Sequence, residues 1–377
     1  MIVAFCIPRF ERANFPLQPW LTIHRVAKAL GDRGHSVHVI TDNAETEEHE
    51  KIKIDGVSSL RGTNSKQIGR LLSAIKPNRV FVTITPLSLA TAGWYQILER
   101  HSAYGYLSYP FYTNQQILKA FPYLCWKDRW EYGRNLLVPR RVWTDRLVRH
   151  FNGVICQSAH TAQKVETLTK SKINAHAIPP GIDTERWAPE MGPKTVSDNN
   201  YFLYLGTASR IRGLLLLLDA FTRLSDPDIR LKILARGADE IELAEIKRAV
   251  ERRHINERVS LQGGWMETAE IQKQIQSATA VLFPFILVPS ELPVSVLEAI
   301  YFGTPVIVSD LVGLPEVVGN AGIVVPHTDV KKLASAIQTL HRHKEYQAKL
   351  NTMCLERRNT IMSWDSVCNL WADFITQ

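Results

Sequence analysis

PSELPVSVLEAIYFGTPVIVSDLVGLPEVVGNAGIVV, positions 289–325, spells a turn, a short helix, a glycine stop and a buried strand in succession. Pro293 suits a first helical turn, where its missing N–H would have no partner anyway. Gly303 suits the position after the helix, where φ is often positive. Val306, Ile307 and Val308 then form an unbroken apolar run, as a strand covered on both faces must. Val294, Leu297 and Tyr301 mark one face of the helix by their i, i+3, i+7 spacing, and Glu298 falls on the same stripe. A carboxylate on an inward stripe is costly unless something bonds it. Two vicinal hydroxyls of a ribose would do so, and so would the N-terminus of a neighbouring helix; the local pattern leaves both open.

Working outward, short β-rich runs alternate with helical patterns along the whole chain. Six fall in the first half, at 2–7, 36–41, 79–85, 105–109, 153–158 and 175–179. Six more follow at 201–206, 229–235, 258–263, 280–285, 305–309 and 321–326. Strand, helix, strand order on this scale predicts α/β architecture with doubly wound sheets. Twelve strands exceed one ordinary sheet, and the chain divides near 180–200, where 178–200 holds four prolines, two glycines and a polar tail. The first strand–helix unit has a helix near 19–33, ended by Gly34, but the loop 8–18 between strand and helix contains no glycine. A close pyrophosphate contact there is disfavoured, which argues against a simple dinucleotide dehydrogenase.

The 377 residues carry a net charge of +8 and are 45% hydrophobic, so large cores are affordable and an anionic partner is permitted without being specified. The five cysteines show no C-x-x-C spacing, which argues against a disulfide framework or a zinc site and suits a reducing cytosol. The apolar opening at 2–7 is too short for a secretory signal, and the run 280–288 is half a membrane span. A cytoplasmic protein, soluble or peripheral at the inner face of the membrane, is expected.

Taken together, RGHSVHVIT (33–41), IPPGID (178–183), LGTASRIRGLLLLLDAF (205–221), VLEAIYFGTPVIVSDLVGLPEVV (296–318), NAGIVVP (320–326) and SWDSVCNLW (363–371) resemble a retaining glycosyltransferase of family 4. The resemblance covers most of the chain and implies the GT-B architecture, two Rossmann-like domains facing a central cleft. It divides the chain into an acceptor-binding domain (1–180), a linker (181–200), a nucleotide-sugar-binding domain (201–360) and a closing helix (361–377) that crosses back to the first domain. It also implies a nucleoside diphosphate sugar as donor substrate, with no metal and no further cofactor. Glu298 matches the second glutamate of the family's E-x7-E motif, which bonds the donor ribose. Arg212, before Gly213, matches the basic residue that faces the diphosphate, and Arg210 is a second candidate at an unusual spacing. Pro293, Val294, Ser295 and Val296 would offer backbone N–H groups to the diphosphate, and the segment from Gly263 to Trp265 falls where the main chain meets the nucleobase. The residues agree: Arg210 and Arg212 follow a buried strand, where parallel sheets line their ligand crevice, and a guanidinium there can clamp phosphate oxygens.

The chain also departs from the family pattern. Ser290 stands where the motif's first glutamate belongs; either the loop is reshaped so that Glu291, one position late, serves in its place beside the donor sugar, or the sugar is held differently. No histidine occupies GYLSYPFY (105–112), where many relatives carry one, and His24, His101 and His160 read as ordinary surface or interface histidines. Asp226-Pro227-Asp228 formally spells D-x-D but has good turn chemistry. The segment 111–150 mixes eight basic residues with three acids and interleaves aromatics that include Trp126, Trp130 and Trp143. Such a mixture suits an anionic membrane surface and hence a lipid or lipid-linked glycan acceptor; a solvated helical face with its aromatics turned inward is the plainer alternative. No nucleic-acid module is present. The expected activity is hexosyl transfer to an acceptor hydroxyl. Rival readings are a nucleotide-sugar epimerase and a catalytically degenerate nucleotide-sugar-binding protein.

Overall fold

The protein's structure, a computed structural model, describes residues 1–42, 47–60, 65–184, 201–288 and 290–377. The proline-rich stretch 185–200, most of the expected linker, lies outside the described residues, as does Pro289. The first sheet contains β1 (Ile2–Cys6), β2 (Ser36–Asp42), β3 (Glu47–His49), β4 (Ile52–Val57), β5 (Arg79–Thr83), β6 (Ala103–Leu107), β7 (Gly153–Cys156) and β8 (Asn174–Ala177). The second contains β9 (Tyr201–Gly206), β10 (Arg230–Arg236), β11 (Val259–Gly264), β12 (Ala280–Phe283), β13 (Val306–Ser309) and β14 (Gly322–Val325).

Within the second sheet the order is β11-β10-β9-β12-β13-β14 and every pairing is parallel. The first sheet runs β3-β4-β2-β1-β5-β6-β7-β8, parallel except for the edge hairpin β3–β4. Both contain the doubly wound order in which the chain starts at the centre, winds one way, and returns to wind the other. The two-domain α/β expectation is met. β12 and β13 are buried at every residue, as sequence runs without a polar interruption require. The twelve apolar runs all become strands. β3 and β4 were not anticipated, because EEH is short and charged and IKIDGV alternates apolar with charged residues instead of forming an apolar run.

The final helix, Trp364–Thr376, leaves the second lobe and packs on the first sheet. Trp371 is fully buried there, against Phe5, Phe81 and Tyr106. The crossing is fixed where Ile182 and the 362–364 strand segment exchange backbone hydrogen bonds, Ile182 N–H to Met362 O at 3.0 Å and Trp364 N–H to Ile182 O at 3.0 Å. Gly181 permits it: a Cβ there would meet the Trp364 backbone at 2.8 Å.

Candidate active site

In a doubly wound sheet the ligand crevice opens beyond the carboxyl ends of the strands, where the winding reverses. In the second lobe that point lies between β9 and β12. β9 ends at Gly206, and the chain turns through a 3-10 segment, Arg210–Arg212, into the helix Leu214–Phe221. Ile286 and Leu287 donate their N–H groups to Ile211 O at 2.8 and 3.1 Å, tying the loop after β9 to the loop after β12. Gly213 makes the joint possible. Its φ is +77°, and a Cβ on it would stand 1.8 Å from the Pro284 carbonyl oxygen, so only glycine fits.

This turn holds Arg212 against the end of β9. Its guanidinium lies over the Phe285 ring at 5.9 Å, and a Cβ on Gly206 would come within 3.0 Å of Nη1. Burial pushes the Arg212 pKa down; Tyr204 opposes this and the positive charge of Arg236 adds to it. Arg236 is the last residue of β10 and is exposed. Two guanidinium groups that repel one another at the mouth of a crevice are what a polyanion stabilises. Arg236 was not anticipated from the sequence. Its only signal was its position at the carboxyl end of a buried strand. Arg210, by contrast, is exposed.

The helix Val294–Tyr301 starts with Pro293 as its N-cap, one position earlier than a Pro inside the first turn would stand, and no side chain caps it. Val296 and Leu297 are buried, while Val294, Ser295 and Glu298 are half-buried. Gly303 ends the helix with φ +73°. Across the sheet, Gly263 and Gly264 end β11 beside Ala235 and Arg236. Gly264 has φ +82°, and Trp265, the next residue, is 84% exposed. A flat, solvent-facing ring thus stands one strand from Arg236.

Glu291 is placed differently from a simple donor contact. It is 0% exposed and sits in the seam between lobes. Its own N–H donates to Ser108 O at 2.9 Å, and its carboxylate accepts from Gln157 N–H at 3.1 Å and from the Ser158 hydroxyl. Leu292 N–H donates to Gln157 Oε1 at 3.1 Å, and the Gln157 amide continues to the Tyr106 hydroxyl at 2.9 Å. Burial pushes the Glu291 carboxyl up to about 7, against the Ser158 bond that stabilises its anion. A second carboxylate joins the seam: Glu316 accepts from Ala159 N–H at 3.1 Å and His160 N–H at 2.7 Å, at the start of the helix Ala159–Thr169. Acids from one lobe therefore cap a helix of the other. Gly313 allows this approach, since a Cβ there would meet Ser158 Cβ at 2.8 Å.

The segment 111–150 forms the helices Asn114–Ala120, Trp126–Leu136 and Arg140–His150. Its aromatics divide. Tyr132 and Trp143 are buried, Trp143 stacked on Phe111 at 4.6 Å, whereas Trp126 and Trp130 are 82% and 64% exposed, with Leu137 at 80%. Lys127, Arg129, Arg140 and Arg141 are exposed around them. Asp226 and Asp228 form the anticipated turn, with Asp228 N–H donating to Asp226 Oδ1 at 3.0 Å. All five cysteines are free thiols. No helix among the described residues is long and apolar enough to cross a membrane.

Comparison with known proteins adds two family models and related chains. Residues 199–343 match the model described as "Glycosyl transferases group 1", and residues 21–186 match "Glycosyltransferase Family 4". The MMP alpha-(1->4)-mannosyltransferase of Mycolicibacterium hassiacum is 27% identical over 252 residues, covering 60% of this chain and 58% of that protein. The chain thus spans less than two thirds of that relative's length. Two solved structures share the fold across its full extent. Sucrose-phosphate synthase from Thermosynechococcus elongatus has a TM-score of 0.72 at 17% identity, covering 100% of this chain and 98% of the other. Anabaena HepE in complex with UDP-glucose has a TM-score of 0.67 at 15% identity, covering 100% and 99%.

Proposed function

The chain belongs to the glycosyltransferases of family 4, built on the GT-B architecture, and from that premise we propose that it moves a sugar from a nucleoside diphosphate sugar to an acceptor hydroxyl with retention of anomeric configuration. The observation that carries this reading is the Arg212–Gly213 joint, which aims a guanidinium at the switch point and fits no residue but glycine behind it. In this reading Arg212 and Arg236 face the diphosphate, with Arg210 at the rim. The first-turn N–H groups from Pro293 to Val296 face it from the other side, as helix N-termini favour anions. Glu298 bonds the ribose, and the Gly263–Trp265 turn holds the base. The related mannosyltransferase and the UDP-glucose complex make GDP-mannose and UDP-glucose the first donors to try.

The reaction breaks the bond between the anomeric carbon and the diphosphate and forms one to the acceptor oxygen on the same face. The acceptor's proton passes to the departing phosphate oxygen. The barrier is charge separation as the sugar gains oxocarbenium character, and fixed positive groups at the leaving oxygens lower it. No metal is assigned to this step. Glu291 acts by position: with its carboxyl held by Gln157 and Ser158, it fixes the 290–292 loop ahead of the phosphate-facing helix and closes the lobes over the sugar. The exposed tryptophans and cations of 126–141 favour an acceptor presented at an anionic membrane face, a lipid or lipid-linked glycan, with the chain peripheral on the cytoplasmic side.

The test is release of nucleoside diphosphate and sugar transfer from a donor panel, with wild type and Arg212→Ala side by side. Transfer by the wild type and a loss of about a hundredfold in kcat in a normally folded variant are expected, the cost of one charge-stabilising donor being on the order of 3 kcal/mol. A folded variant with full kcat removes Arg212 from the mechanism. Free epimerised sugar without acceptor, or binding without turnover, would replace transfer by an epimerase or a binding role.

A further inference from the structure

At the β3 edge of the first sheet, three side chains that no glycosyl-transfer step uses converge. His24 lies one turn into the helix Trp20–Asp32, while His49 ends β3 and Glu50 begins the turn into β4. Glu50 and Lys51 both have positive φ, +48° and +66°, so this tight reversal brings His49 and Glu50 back toward the helix. His24 Nε2 stands 3.1 Å from Glu50 Oε2, and one donor atom from each of the three residues falls within 4.8 Å of the others. We propose that His24, His49 and Glu50 form a binding site for a zinc-class divalent ion, with water or an anion completing its coordination.

Two imidazoles and one carboxylate make a donor set that suits zinc and its neighbours and leaves a fourth position open. In a tetrahedral zinc site adjacent ligand atoms lie about 3.3 Å apart, given zinc–ligand bonds of about 2.0–2.1 Å. The His24–Glu50 distance of 3.1 Å already matches, and the other two pairs lie within 4.8 Å. His24 stacks on Phe15 at 4.2 Å and 19°, and the planes of His24 and His49 differ by 18° at 6.3 Å. The outer partners divide the labour on the carboxylate: Lys28 Nζ holds Glu50 Oε1 at 3.2 Å, leaving Oε2 facing His24 for a single-oxygen bond. Such outer contacts orient ligands and tune affinity. The nitrogen donors select against Mg2+ and Ca2+, which prefer all-oxygen shells.

The site would brace a helix that meets the functional seam from the other side. Arg25, on the same helix, pairs with Asp183 at 2.9 Å beside the interlobe crossing. An ion at His24 therefore joins the edge hairpin to the helix that supports the seam, and it does so apart from the Arg212 crevice.

Untagged, metal-free protein is titrated with Zn2+ by calorimetry, with melting temperature recorded alongside, and the titration is repeated with Mg2+. One equivalent of Zn2+ bound, a raised melting temperature and no response to Mg2+ are expected. His49→Ala and Glu50→Gln are the informative variants because both residues lie on the edge hairpin. Each should keep the metal-free melting temperature and weaken Zn2+ binding on the order of tenfold or more. His24→Gln should do likewise. Absence of stoichiometric Zn2+ uptake by the wild type, or uptake unchanged in both hairpin variants, would overturn the proposal. Because binding is read without turnover, neither result depends on the donor assay above.

Discussion

Arg212 is where the fold's constraints and the proposed chemistry meet in one residue. The sequence singled it out through the family resemblance, as the basic residue before Gly213; its contacts with Phe285 and Gly206 were not visible there, since they depend on the loop after β12. Gly213→Ala tests the joint itself. The added methyl meets the Pro284 carbonyl at a φ that L residues avoid, so the variant should lose more than about 1 kcal/mol of stability and show a lower melting temperature. An unchanged melting temperature would mean the joint is not as tight as drawn. Glu291 makes a second prediction. Its folded pKa, about 7, lies above the usual 4.5, so its neutral form is the better tolerated one. The stability this group contributes is complete below about pH 4.5 and is lost as pH rises through 7, an effect on the order of 3 kcal/mol. Glu291→Gln, which cannot ionise, should gain on the wild type in melting temperature as pH rises across that window. Parallel curves for the two proteins would show that the carboxyl is not titrating in the seam. Sequence spacing offered Glu291 as a sugar contact. It could not show that the acid faces Gln157 and Ser158, because those partners lie more than 130 positions away.

Among the elements, the helix Trp126–Leu136 places aromatic rings on both an inner and an outer face. Tyr132 enters the core shared with the second lobe, while Trp126 and Trp130, four residues apart, face outward together. Sequence interleaving of aromatics and cations announced the segment but not which ring goes where: that is settled by the packing of Phe111 on Trp143 and of Tyr132 on Tyr109. Indole rings beside Lys127 and Arg129 suit the headgroup zone of an anionic bilayer, where each basic residue adds about 1 kcal/mol. Vesicles rich in anionic lipid should therefore sediment the wild type at low salt, and Trp126→Ser with Trp130→Ser should release it without altering donor turnover in solution. Equal sedimentation of wild type and double variant would assign these rings to another partner. The strands tell the complementary story. β12 and β13 were plain because burial on both faces demands apolar residues throughout, whereas β4, at IKIDGV, alternates buried with less buried positions and so shows no unbroken apolar run.

At the scale of the molecule, two sheets of the same winding order face one another, and the contacts between them are specific rather than diffuse. Gly313 against Ser158, Glu316 on the start of Ala159–Thr169, and Glu291 on Gln157 define one closed arrangement. The family's order of motifs made the two lobes and the returning helix readable in advance. The seam was not, since each of its bonds joins residues from different lobes. In the proposed reaction, closure at that seam would exclude water from the diphosphate and so strengthen every charge contact made with it. Calorimetric titration of UDP and GDP into wild type and Arg212→Ala tests this most directly. The account predicts saturable binding of at least one diphosphate at one site per chain, weakened tenfold or more in the variant, as loss of a charged hydrogen-bonding partner implies. Equal affinity in the two proteins, or no binding by the wild type, would contradict it.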